Sequence, residues 1–315
     1  MNPGWTRRSF LMAVTSALPV AGATVMGAPY TSRVAERGSA SMLNHRVETI
    51  QDVIDLILEA VGVEPIERTV DTIKSGDPAQ PVTGVATTFL ATTDVIERAA
   101  SAGANLIITH EPTFYNHFDQ VDWLEDDAVY LNKRRLLEEH GIVVWRFHDY
   151  MHAYRPDGIM SGLLGDLEWS ENASSGAESI ASAEIVQIEP TALRDLVGLL
   201  KQRLHIEHPL RVLGDPTMTC RRVGILPGAW GGRPHIEFLG SSDDVDVLLV
   251  GEINEWETSV YVQDAASAGR QLALVMLGHL NSEEPGMAWL AEWLRPRLEG
   301  IPVEHLPGRD PFLLI

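Results

Sequence analysis

The chain has 315 residues, 45% of them apolar, with 44 Asp and Glu against 24 Lys and Arg and a formal net charge of −20. That is enough length and apolar content for two ordinary domains with real cores, which excludes global disorder. The acidic balance argues against nucleic acid or an anionic membrane as a broad-surface partner, and the single cysteine, Cys220, excludes an internal disulfide and a thiolate zinc cluster.

The N-terminal residues do not read as fold. Thr6-Arg7-Arg8-Ser9-Phe10-Leu11-Met12 opens an uncharged, mostly apolar stretch over 9–20, and the pattern resembles a twin-arginine export signal with Met12 where a lysine is common. The stretch is too short to span a membrane comfortably, and Ala21-Gly22-Ala23 offers an A-x-A cleavage site with no cysteine after it. The expectation is an exported, periplasmic or extracellular protein without a stable membrane anchor after cleavage. The alternative is an N-terminal extension of a cytoplasmic protein. Residues 29–44 read as a linker.

Beyond it, helical and strand patterns alternate. Apolar residues at helical spacing predict a helix over 47–61, followed by a strand over 83–90. Thr93 and Asp94 are expected to cap a helix to about 102 that stops at Gly103. A buried strand over 105–109, a helix over 127–140 ended by Gly141, and a strand over 142–147 follow. A Ser-, Ala- and Glu-rich stretch, 169–182, marks a boundary. After it come a strand at 184–188, a helix at 191–204, a strand at 222–226 and a glycine-rich flexible turn at 228–232. A strand at 246–250, a helix at 255–268 and a strand at 272–277 precede a last helix over 281–298, opened by Asn281 with Glu284 as its capping-box partner. The final strand is 301–306. The order predicts an α/β fold of two units, 45–168 and 183–315, after the 1–44 signal and linker.

Four apolar strands run into polar, metal-ligating residues. Strand 105–109 leads to His110-Glu111-Pro112, strand 142–147 to His148-Asp149-Tyr150-Met151-His152, and strand 272–277 to Gly278-His279 and then Glu283. Strand 246–250 leads to Gly251-Glu252. Ligands of α/β sheets bind beyond the carboxyl ends of strands, so the repetition points to one shared site. Imidazole and carboxylate together suit zinc, iron or manganese, as one or two divalent ions. Taken singly, each residue also has a purely structural reading: a strand-end cap for His110, a loop acid for Glu111, loop residues for His148 and His152, a first-turn acid for Glu283. His117, His140, His205, His208 and His305 lack the strand-end context and read as surface or structural.

These motifs resemble the Nif-three-like dinuclear-metal-centre family, whose members are also known as GTP cyclohydrolase I type 2 homologues. The family's I-T-H-H-P corresponds to Ile108-Thr109-His110-Glu111-Pro112, its H-T-N-L-D to His148 through His152, its T-G-E to Val250-Gly251-Glu252, and its G-H-x-x-S/T-E to Gly278 through Glu283. Gly214-Asp215-Pro216, Arg221-Arg222-Val223 and Gly231-Gly232 match its middle segment. Two positions depart reciprocally: the family's second His is Glu111 here and its Asp is His152. The resemblance implies two related α/β sandwich units with mixed sheets and a metal site in the cleft between them. It implies the ligands His110, Glu111, His152, His279 and Glu283, with His148 as a supporting or extra ligand. Bridging between two cations would fall to Glu283 or Glu111. It further implies a homo-oligomer, commonly a hexamer, and a small-molecule substrate attacked by metal-activated water, with Glu252 or Asp149 as general base. The other function class is a non-catalytic metal-binding or scaffold protein.

Overall fold

The computed structural model describes residues 47–174, 183–242 and 244–312. The export motif, the linker and most of the 169–182 boundary lie outside the described residues, and no helix among those described is long and apolar enough to cross a membrane.

The first half contains α1 (Ile50–Val61), β1 (Ile73–Ser75), β2 (Val85–Thr88), α2 (Thr93–Ser101), β3 (Leu106–Thr109), α3 (Ala128–Glu139), β4 (Val143–Arg146), α4 (Asp149–Ala153) and α5 (Gly158–Asp166). The second contains β5 (Ala173–Ser174), β6 (Glu184–Ala192), α6 (Leu193–Arg203), β7 (Arg211–Leu213), β8 (Thr219–Leu226), α7 (Gly232–Ser241), β9 (Val247–Val250), α8 (Val260–Ser267), β10 (Ala273–Met276), α9 (His279–Leu294) and β11 (Val303–His305). They build two mixed sheets, ordered β1-β4-β3-β2-β11 and β5-β6-β8-β9-β10-β7. In the first sheet β4-β3-β2-β11 are parallel and β1 joins antiparallel; in the second β8-β9-β10 are parallel, with β5-β6 on one side and β7 on the other joined antiparallel.

Both sheets are covered on both faces, which is why their central strands read as unbroken apolar runs. In the first, Leu106, Ile108, Val143 and Trp145 pack with α1 and α9, while Ile107 and Val144 pack with α2 and α3. In the second, Val223, Ile225 and Leu249 pack with α5 and α6, and Leu226, Leu248 and Val250 with α7 and α8. The cover is therefore exchanged: α5, from the first half, lies on the second sheet, and α9, from the second half, lies on the first. The two helices meet where Gly162 faces the backbone of Pro285 and Gly286; a Cβ on Gly162 would stand 2.2 Å from the Pro285 carbonyl oxygen. β11 pairs in parallel with β2, so the chain returns to the first sheet after completing the second.

Several expectations are corrected. Thr92, not Thr93, caps α2, its hydroxyl accepting from the Val95 amide at 3.3 Å. The last helix starts at His279, behind Gly278 with φ +92, and not at Asn281, whose amide donates back to the Leu277 carbonyl at 2.8 Å. Glu284 makes no capping box; it accepts from the amides of Phe89 and Gly308. The helix expected over 255–268 opens with a π-helical turn at 255–259. Segment 228–232 is no free turn, because Gly231 leads straight into α7. β1, α4, α5 and β7 were not expected; each is short or covered by a partner distant in sequence.

Candidate metal centre

Two strand ends and one helix start deliver the chemistry. β3 runs directly into His110 and Glu111, and β4 runs through Phe147 into His148 and then α4, which carries His152. α9 begins at His279, with Glu283 one turn on. The i, i+4 spacing puts His279 and Glu283 on one helical face, and His148 and His152 likewise. Asp71 anchors the second segment: its carboxylate accepts from the amides of His148 (2.8 Å), Asp149 (3.0 Å) and Tyr150 (2.9 Å), doing for α4 what a side-chain N-cap would do.

The imidazoles are oriented alike. His110 Nδ1 lies 3.2 Å from the Phe147 carbonyl, His148 Nδ1 2.9 Å from Asp149 Oδ1, His152 Nδ1 2.9 Å from Asp157 Oδ2, and His279 Nδ1 3.6 Å from Glu252 Oε2. Carbonyls and carboxylates only accept, so they hold the proton on Nδ1 and turn Nε2 to ligand duty. His110 Nε2 stands 3.5 Å from Glu283 Oε2, and His279 Nε2 stands 3.0 Å from that oxygen and 3.5 Å from Glu111 Oε1. His148 Nε2 lies 3.7 Å from Glu111 Oε1. The rings of His110, His148 and His152 are mutually 4.7, 5.1 and 5.0 Å apart. Two triads, His110/His148/His152 and His110/Glu111/Glu283, each keep their ligand atoms within 4.8 Å of one another.

All six residues named for the site in the sequence thus meet in one place, and His148 stands among the others rather than behind them. The cluster fits a cation on its own evidence. His110 Nε2 is buried and lacks any hydrogen-bond partner, 3.5 Å from Glu283 Oε2; leaving such an atom unsatisfied costs about 1–3 kcal/mol, which a cation between the two removes. Gly228 makes room for the carboxylate, since a Cβ there would stand 2.1 Å from Glu283 Oε1.

The electrostatics agree. Burial, reinforced by His148 and His152, holds His110 well below its ordinary pKa, so it is neutral and ligand-competent. Burial would likewise lower His279, but hydrogen bonds to Glu111, Glu252 and Glu283 outweigh it and push the imidazole up to about 12. Without a metal, the carboxylates recruit a proton onto His279 as their counter-cation. Burial lowers His152 too, and its bond to Asp157 outweighs this and raises it.

The two candidate bases differ. Asp149 is committed: burial works against its charge, but His148, the Val70 amide and Thr69 bind the carboxylate and hold its pKa well below the usual range. Glu252 stands at the rim, its side chain 58% exposed. Sequence reasoning passed over Asp71, Arg146, Asp157 and Gly228. Two carried a signal: Arg146 is a charge inside an apolar strand, and Asp157 before Gly158 is an N-cap pattern.

Comparison with known proteins bears on the fold and the family. The family model described as Duf34/NIF3 (NGG1p interacting factor 3) matches residues 49–309. A GTP cyclohydrolase 1 type 2 homolog of Clostridium perfringens is 24% identical over 284 residues, covering 87% of this chain and 99% of that protein. One of Chlamydia pneumoniae is 24% identical over 245 residues, covering 76% and 90%. Among solved structures, a Staphylococcus aureus hypothetical protein superposes with a TM-score of 0.66 at 20% identity, covering 86% of this chain and all of that one. A Bacillus cereus protein related to NIF3 gives 0.66 at 14%, with the same coverage. Fold, motif order and family match coincide: the chain belongs to the Duf34/NIF3 family.

Proposed function

We propose that the protein is a metal-dependent hydrolase of a small molecule, with its metal held by His110, Glu111, His148, His152, His279 and Glu283. The observation that carries this reading is the convergence of Nδ1-anchored imidazoles on two carboxylates, with His110 Nε2 buried and unpartnered. A bound divalent cation supplies Lewis acidity and acidifies water at neutral pH. The chain supplies the rest. The anchored imidazoles and Asp71 fix the ligand geometry, so no reorganisation is needed as charge develops. Glu252 Oε2 lies at the open rim, and its bond to His279 keeps it ionised, so it is the carboxylate placed to take a proton from attacking water. The cyclohydrolase names of the relatives fit such a hydrolysis, and the substrate class proposed here is no narrower than a small molecule.

The test begins with metal analysis of natively expressed protein. Glu111→Ala and His152→Ala are each expected to weaken zinc or manganese binding by roughly tens-fold or more, at least the loss seen for outer-shell changes. The loaded protein is then screened against small-molecule hydrolase substrates. Wild-type protein without bound metal, or alanine variants that bind as well as wild type, would end the reading. Full metal loading with no turnover across the screen would leave a non-catalytic metal-binding protein.

A further inference from the structure

Among the described residues, the largest fully buried side chain is a cation, Arg146. It ends β4, in register with Thr109, the residue that precedes His110 at the end of the neighbouring β3. Its guanidinium spreads beneath the loop that follows. Nε donates to the His110 carbonyl at 3.0 Å, Nη1 donates to the His117 carbonyl and lies 3.8 Å from Asp119 Oδ2, and Nη2 donates to Glu111 Oε2 at 3.3 Å. Asp119 is itself held by the Phe114 amide at 2.7 Å and by Lys74 at 3.0 Å. The loop and its one ligand carboxylate are thus clamped to the strand beside them.

The two oxygens of Glu111 consequently point to different chemistry. Oε2 faces Arg146, while Oε1 faces His279 Nε2 at 3.5 Å and His148 Nε2 at 3.7 Å. A carboxylate that bridges two cations gives one oxygen to each, and the fully buried guanidinium competes for one of Glu111's, which favours ligation through the other. A planar fork with donors on three separate nitrogens suits this task; an ammonium gathers its three donors on one atom and cannot span the same three acceptors in this geometry.

We propose that Arg146 is a positioning residue that presents Glu111 to the metal through a single oxygen, Oε1, leaving Glu283 as the carboxylate for any bridge. This inference rests on the metal-binding reading above. It also accounts for the departure at position 111. The family's motif has an imidazole there, which binds through one nitrogen. A carboxylate in its place acts as a one-atom ligand only while its second oxygen is occupied, and Arg146 occupies it. The loop geometry and the ligand's mode of binding are then set by the same side chain.

The experiment is a double-mutant cycle on the full chain: wild type, Arg146→Met, Glu111→Gln and the combination, read by zinc affinity in chelator competition and by thermal unfolding without metal. Arg146→Met is expected to weaken zinc about ten-fold or more in the presence of Glu111. It should add less than about two-fold on Glu111→Gln, because that variant has no charged carboxylate left to position. Arg146→Lys, run beside it, should recover part of the affinity lost by Arg146→Met while Glu111 is present. Equal weakening with and without Glu111 would overturn the proposal, since Arg146 would then act only through the loop backbone. If Arg146→Met does not fold, the same cycle run with Arg146→Lys decides between these outcomes. Wild-type protein that binds no zinc would fail the metal reading itself, whereas zinc binding indifferent to Arg146 would fail only this inference.

Discussion

At the residue scale, the centre is shaped by groups that never touch a metal. Gly228 is the sharpest case. Its φ of +77 is unfavourable for any side chain, and its missing Cβ is the space that Glu283 Oε1 occupies. Gly228→Ala is expected to displace Glu283 and weaken zinc by about ten-fold or more, the scale of ligand-orienting changes. Gly231→Ala is the control: its φ is +75 but its Cβ would meet nothing within 4 Å, so it carries the backbone strain alone. Equal zinc affinity in the two variants would mean that the cradle is irrelevant. The clustered imidazoles and carboxylates were legible in the sequence because each follows a strand end or opens a helix. The supporting groups were less so: Asp71 and Gly228 reach the site through the fold with nothing local to announce them, and the charge of Arg146 inside an apolar strand does not tell which loop it holds.

At the element scale, the parallel strands at the centre of each sheet were readable, being short, apolar and buried on both faces. What escaped was short or hidden by its packing. α5 is too apolar all round to show a helical stripe, since it is buried between its own half and the second sheet. β1 and β7, of three residues each, carry no periodicity. α9 was placed two residues late because its start is set by Gly278, with no Ser, Thr, Asp or Asn to mark it. The α5–α9 crossing carries a test of its own. Gly162→Ala would drive a Cβ to 2.2 Å from the Pro285 carbonyl oxygen, whereas a Cβ on Gly165, in the same helix, would meet nothing within 4 Å. Gly162→Ala should destabilise by about 1–3 kcal/mol through overpacking, and Gly165→Ala should stabilise by about 0.5–1 kcal/mol through helix propensity. Thermal and denaturant unfolding check both. Because α9 carries His279 and Glu283, the first variant should also lose zinc affinity; a stable Gly162→Ala protein would show that the helices have room to part.

At the scale of the whole molecule, stability should depend on acid through a histidine outside the His and Glu cluster. His235, on α7, is fully buried, with Nδ1 2.9 Å from the Thr258 hydroxyl. Burial, only partly offset by Glu257, lowers its pKa from 6.5 to about 4. The unfolded chain binds this proton below pH 6.5 and the folded chain only below about 4, so the neutral ring stabilises the fold above that window. The contribution is lost as pH falls from about 6.5 to 4, with a total on the order of 3 kcal/mol. His235→Gln, which cannot titrate, should show a shallower decline in unfolding free energy over the same range. Parallel curves for the two proteins would place the acid sensitivity elsewhere.

The return of the chain to its first sheet has a consequence for the order in which the protein is made. β1 to β4 leave the ribosome early, together with His110, Glu111, His148 and His152. One face of their sheet is covered by α9 and one edge is closed by β11, and both of these are synthesised after the entire second sheet. A nascent first half therefore holds an apolar face covered only in part, by α1, and an incomplete polar cluster, the situation in which long-range topology delays folding and invites aggregation. The His and Glu cluster is completed by the same late segment that closes the core. If it binds metal as proposed, the complete centre forms only in finished chains, and a chain cut short before α9 is marked twice over, by exposed surface and by a cluster that lacks His279 and Glu283.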